Sequence, residues 1–166
     1  MVTIEMNPKL SSHIPIRGAY VLIIFVPEER CIKVGKLAVH KFKRGYYTYT
    51  GSALGKGALS LWGRISRHLK KEKRKRWHID FLLADEDVKV LSALMIPSDE
   101  KIECKVNKCL QEKINAKVVI PKFGSSDCKE RCKSHLLYLG NDEKAIDRIF
   151  DLFKNEINGT VILRFK

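Results

Sequence analysis

The sequence predicts an α+β domain in which a small central antiparallel sheet is flanked by helices. Two kinds of segment predict it. Short runs rich in β-branched and aromatic residues open the chain, and apolar stripes of helical period follow and recur near the end. Only short turns separate the two, with no internal repeat and no low-complexity linker, so one domain is the economical reading. At 166 residues the chain can close a hydrophobic core without staples.

Each element has a local reason. Residues 1–17 read as a loosely structured lead-in. "GAYVLIIFVP", bounded by Gly18 and Pro27, is a continuous apolar run and reads as a buried strand. "CIKVGKL" alternates and is expected to return against it. In "YYTYT", Tyr47 and Tyr49 point to one face, and Tyr46, Thr48 and Thr50 to the other. Leu54, Ala58, Leu61, Trp62, Ile65 and Leu69 then form a helical stripe. "WHIDFLLA" is a short amphipathic segment and "VKVLSALMIP" a further strand. Ser98 is placed to cap a helix whose buried face holds Ile102, Val106, Cys109, Leu110 and Ile114. A short strand, a turn with a Cys/His cluster, a strand, an amphipathic helix ("NDEKAIDRIFDLFKNE") and a terminal strand ("TVILRF") complete the chain. The domain proper is expected over 18–140, with 141–166 as an elaboration of it.

Charge narrows the partner. Thirty-two Lys and Arg against 19 Asp and Glu give a net charge of +13, which favours a polyanion because neutralised phosphates release condensed counterions. Cys31, Cys104, Cys109, Cys128 and Cys132 are an odd set in a mid-sized chain, so a reducing, cytoplasmic setting is expected rather than a disulfide framework. No signal-type segment opens the chain, and no apolar window is long enough to span a bilayer, so no membrane partner is expected.

Arg64 and His68 lie one helical turn apart and miss the apolar stripe. Arginine offers a rigid fork of donors for a phosphate, and histidine can carry a proton near neutrality. Their order in the chain sharpens this. "GAY" in one strand, "YTG" in a later one, R-x3-H on a helix and then a helical glutamate resembles the GIY-YIG nuclease superfamily. The blocks "KVGKL", "GYYTYTGSA", "RISRHL", "RWHIDFLL", "IECKV" and "FGSSDC…SHL" resemble its domain-of-unknown-function 123 branch, from about Gly18 to Leu139.

That resemblance implies a GIY-YIG-like fold and phosphodiester hydrolysis assisted by one Mg2+ or Mn2+ ion. Tyr20, Tyr49 and Arg64 match the superfamily's catalytic tyrosines and arginine. His68 matches a commonly basic or tyrosine position, and Glu103 matches the metal-binding glutamate. Tyr20 is the candidate base, its phenol to be lowered by charge from Arg64, His68 and the ion, with Tyr49 or His68 as alternative relays. The chain departs from the pattern at Ala19 and Thr50. It also has a longer interval between the signatures, which must hold an extra strand pair. The late asparagine has no clear counterpart, with Asp127 or Ser125 in its neighbourhood.

Two further features carry chemistry. Cys128, Cys132 and His135 have the spacing of zinc ligands, but no fourth ligand is evident beyond His78, which qualifies by residue type alone. A buried thiol pair beside a satisfied histidine is therefore the preferred account, with Zn2+ the alternative. His78 and Asp80 cannot share a helical face and are expected to be structural hydrogen-bonders. "KKEKRKR", comprising Lys70, Lys71, Lys73, Arg74, Lys75, Arg76 and one glutamate, is either a solvated face or a grip on nucleic-acid backbone. A metal-dependent endonuclease acting on DNA rather than RNA, in repair or processing, with a shallow basic cleft, is the function expected. A catalytically inactive nucleic-acid-binding module and a zinc-bearing interaction domain are the alternatives.

Overall fold

The computed structural model describes residues 14–166; of the expected lead-in, residues 1–13 lie outside the described residues. Strand β1 (Gly18–Val26) is the apolar run expected from the sequence. It pairs antiparallel along its whole length with the later tyrosine-bearing strand Gly45–Ala53 and, from Gly18 to Phe25 with one register shift, with Lys89–Pro97. In chain order the strands are β1, β2 (Arg30–Lys33), β3 (Val39–Phe42), β4 (Gly45–Ala53), β5 (Lys89–Pro97), β6 (Lys117–Val118), β7 (Leu136–Gly140) and β8 (Val161–Arg164). Six of them form one antiparallel sheet in the order β6-β7-β4-β1-β5-β8. The helices are α1 (Leu61–Leu69), α2 (His78–Leu83), α3 (Glu103–Ile114) and α4 (Lys144–Glu156). This is the α+β class that the sequence predicts.

Alternation along β1 builds two cores. Tyr20, Leu22, Ile24 and Val26 face Leu61 and Ile65 of α1, Ile79 and Leu82 of α2, and Val34 and Phe42 of the β2–β3 ribbon. Ala19, Val21 and Ile23 face Val106 and Leu110 of α3 and Ile149, Phe150 and Phe153 of α4. Each large apolar side chain fully buried here contributes on the order of 1.5–3 kcal/mol.

Three expectations are corrected. The segment "CIKVGKL" does not return against β1: β2 pairs with β3 in a separate two-stranded ribbon. Both edges of β1 are already taken by nine-residue partners, and β2, with Cys31 and Lys33 exposed, has only one side to bury. The first helix begins at Leu61, not near Leu54, with Ser60 Oγ accepting from the Gly63 N–H at 3.1 Å. Its buried face is Leu61, Ile65 and His68, at i, i+4 and i+7, while Trp62 is 40% exposed. Finally, Ser98 caps nothing. Its hydroxyl closes a local turn with the Glu100 backbone, and α3 starts at Glu103 behind Ile102, which offers no side-chain cap. No helix among the described residues is long and apolar enough to cross a membrane.

Candidate active site and metal centre

A cleft of about 670 Å3 opens beside β4 and is lined by Tyr20, Tyr49, Arg64 and Glu103 together. Four residues separated by up to 83 positions in the chain thus meet in one cavity. His68 does not line the cleft; it is buried behind Tyr20. None of the basic run from Lys70 to Arg76 lines it either. Its charged lining is balanced, with Arg64, Lys101 and Lys129 against Glu103, Asp127 and Glu130. The expected basic cleft is therefore corrected to a mixed one.

Two glycines place the two phenols. Tyr20 and Gly51 are cross-strand partners, and a Cβ on Gly51 would overlap the Tyr20 phenol. The Tyr49 ring lies against Gly124, where φ is +68° and a Cβ would stand 2.8 Å from the ring. His78 fixes that glycine, its Nδ1 accepting from the Gly124 N–H at 3.0 Å. This settles His78 as a structural hydrogen-bonder and removes it as a fourth metal ligand.

Behind Tyr20 lies a dense polar network. Tyr20 Oη and His68 Nε2 are 2.8 Å apart, and His68 Nδ1 stands 3.9 Å from Asp80 Oδ1. Burial, reinforced by Lys73, lowers the His68 pKa to about 3, so the imidazole is neutral. The Asp80 carboxylate favours the proton on Nδ1, which leaves Nε2 to accept from the Tyr20 hydroxyl. The Tyr20 phenol is itself raised well above its usual range by burial and by Tyr49, against the opposing pull of Arg64. Tyr49 is raised too, by burial and then Asp80. The protein's own groups do not lower the Tyr20 phenol: burial outweighs Arg64, and His68 offers an acceptor in place of a charge.

Asp80 anchors the network. It accepts two bonds from Arg67, both at 2.9 Å, and one each from the N–H groups of Arg76 and Trp77. Burial would raise its pKa, but these four donors outweigh it and the net shift is downward. Lys71 Nζ donates to the carbonyls of Leu83, Asp85 and Val88, and Lys73 Nζ to those of Arg67 and His68. Two of the basic-run lysines are therefore structural. Lys70, Arg74, Lys75 and Arg76 remain exposed.

The cleft is different in kind. Glu103 Oε2, Thr50 Oγ1, Ser52 Oγ and Arg64 Nε are buried atoms without a hydrogen-bond partner, and all four residues line it. Buried polar groups are rarely left unpaired, so these four could contact an ion or polar ligand, whereas Thr48 Oγ1, Asn107 Oδ1 and Ser125 Oγ are unpaired outside the cleft. The Arg64 and Arg67 guanidiniums both lie over the Trp77 ring, at 5.1 and 4.3 Å, which aims Arg64 at the cavity. Asp127 is an exposed lining residue, whereas Ser125 is buried and does not line the cleft.

Beside Glu103 the thiol cluster acquires its missing member. The ligand atoms of Cys104, Cys128, Cys132 and His135 all lie within 4.8 Å of one another. Cys104 Sγ is 3.4 Å from Cys128 Sγ and 3.8 Å from His135 Nε2. A tetrahedral Zn2+ with bonds of about 2.3 Å spaces its sulfurs by about 3.8 Å. The group could therefore bind a metal such as zinc, and a Cys3His set now stands beside the buried-thiol account. A staple is also needed on general grounds, since residues 119–135 form a long connection with no regular element. Cys104 was missed because the ligand motif was sought within one short stretch. Its signal was a cysteine directly after the glutamate in "IECKV".

The family model described as Domain of unknown function DUF123 matches residues 19–158, and the chain belongs to that family. No curated protein and no solved structure matches it.

Proposed function

We propose that this DUF123 member is a GIY-YIG-type, metal-dependent nuclease that hydrolyses phosphodiester bonds in DNA, in repair or processing. The observation that carries the reading is the cluster of unpartnered polar atoms, Glu103 Oε2 and Arg64 Nε above all, in the cleft that Tyr20 and Tyr49 also line. Glu103 fits a hard divalent ion, because Mg2+ and Mn2+ take one or two carboxylates and keep their remaining positions for water and phosphate. When bound, such an ion polarises the scissile phosphate and steadies the departing 3′ oxygen.

The protein's own groups do the rest. Tyr20 donates its hydroxyl proton to His68 Nε2, so its free lone pairs are available to the cleft. A water held by those lone pairs is oriented toward phosphorus, and its proton leaves to solvent through the open cleft as it attacks. Asp80 faces the imidazole and favours its proton on Nδ1, which keeps Nε2 as the acceptor that orients the Tyr20 hydroxyl. Arg64 meets the charge that grows on the non-bridging oxygens. We infer that Zn2+ fills the Cys3His set and serves structure, since four protein ligands leave no open position.

The test is a cleavage panel on nicked, branched and single-stranded DNA, with and without Mg2+ or Mn2+. Metal-dependent cleavage is expected, reduced about 100-fold or more in both Glu103→Gln and Tyr20→Phe. Cleavage that ignores the metal or survives both changes overturns the reading. Salt-sensitive binding without cleavage assigns the chain to the inactive-module alternative.

A further inference from the structure

The β2–β3 ribbon is hydrogen-bonded only to itself, yet it is rigidly held. Val34 and Phe42 are fully buried beneath it, Tyr47 Oη donates to the Lys43 carbonyl, and Tyr138 Oη donates to that of Arg44. Its outer surface carries Lys33, Lys36, Lys41 and Lys43, all exposed. Acids at its base are already engaged: Glu28, Asp85 and Asp87 with Arg30, and Glu29 with Lys41. Among the described residues Lys33, Lys36 and Lys43 make no ion pair.

This ribbon continues the surface of the basic run. Phe81 of α2 has Lys75 Nζ 5.3 Å from its ring centroid. Gly35 also lies against it, where a Cβ would stand 3.4 Å from the ring. Lys75 also leads, through Arg76 and Trp77, to the wall of the cleft beneath Arg64. A track of exposed cations therefore runs from the cleft wall over α2 to the ribbon.

We propose that the β2–β3 ribbon is a sequence-independent clamp for the phosphate backbone of a nucleic-acid duplex, holding the arm that flanks the cleft. The proposal rests on the nucleic-acid reading of the chain but not on cleavage. Lysines position a backbone without reading bases. Single strands are gripped by aromatic platforms on which bases stack, and Val39 is the only large hydrophobic exposed on the ribbon. The duplex is thus the form this surface suits.

The test is equilibrium binding to a blunt DNA duplex and to a single strand across a salt series, in buffer without added Mg2+ or Mn2+ so that no cleavage intervenes and the Cys3His set keeps its metal. The triple variant Lys33→Gln/Lys36→Gln/Lys43→Gln is compared with Lys105→Gln/Lys108→Gln/Lys154→Gln, which removes the same charge from α3 and α4. The ribbon variant is expected to lower the slope of log K against log salt by about 2 to 3 for the duplex. The control variant should lower it by less than 1. Equal slopes for the two variants, tighter binding to the single strand, or no duplex binding by the wild type would each overturn the clamp. Because nothing is cleaved, those outcomes are separate from failure of the cleavage panel. A matched thermal midpoint for both variants excludes unfolding as the cause.

Discussion

Two neighbourhoods of buried polarity meet at the Tyr20 ring, and they differ in how they are satisfied. Around α2, Asp80 accepts four hydrogen bonds, Lys71 donates three and Lys73 two. Among the described residues of that network, His68 Nδ1 lacks a partner, and it faces a carboxylate. In the cleft, Glu103 Oε2, Thr50 Oγ1, Ser52 Oγ and Arg64 Nε have none. Groups that complete one another hold the fold; the incomplete ones in the cleft are where we propose that a ligand binds. Tyr20 belongs to both, bonded to His68 on one side and lining the cleft on the other.

Breaking one member on each side exposes that difference most strongly. Asp80→Ala leaves Arg67 unpaired and strips two backbone N–H groups of their acceptor, so denaturant unfolding should show a loss of about 3 kcal/mol or more. Glu103→Gln should change stability by less than about 0.5 kcal/mol, because no native bond depends on its free oxygen. If the two losses are equal, the distinction between the neighbourhoods fails.

A smaller effect sharpens it through pH. The folded protein keeps His68 neutral down to a pKa of about 3, against 6.5 in the unfolded chain. The stability tied to the neutral ring is therefore complete above about pH 6.5 and is lost as pH falls toward 3. Between pH 7 and 5 that amounts to about 2 kcal/mol from His68. His68→Gln should lose less over the same interval, with the remainder including His78, whose pKa burial also lowers. Identical pH profiles for the two proteins would remove His68 from the account.

These particulars show which parts of the molecule the sequence discloses. Tyr20, Tyr49, Arg64 and Glu103 are legible because ordered short words survive as words, and the cleft gathers all four. Strand β1 is legible because burial on both faces demands a continuous apolar run. The burial of His68 was hidden by drawing the α1 stripe from apolar residues alone, although its i, i+4, i+7 relation to Leu61 and Ile65 marks the inner face. Lys71 and Lys73 were hidden inside a charge run that reads as solvated, since carbonyl acceptors leave no sequence signature. The Cys3His set was half legible, because Cys104 joins the other three only through the packing of α3 against a distant loop.

The central claim is that the cleft, and not the thiol cluster, holds the divalent ion beside Glu103. Anomalous diffraction from crystals grown with Mn2+, recorded at the manganese and zinc edges, tests it directly. The account predicts a manganese peak about 2 Å from the Glu103 carboxylate, with Tyr20 and Arg64 facing it, and a separate zinc peak among Cys104, Cys128, Cys132 and His135. Manganese absent from Glu103, or found only among the cysteines, would contradict it.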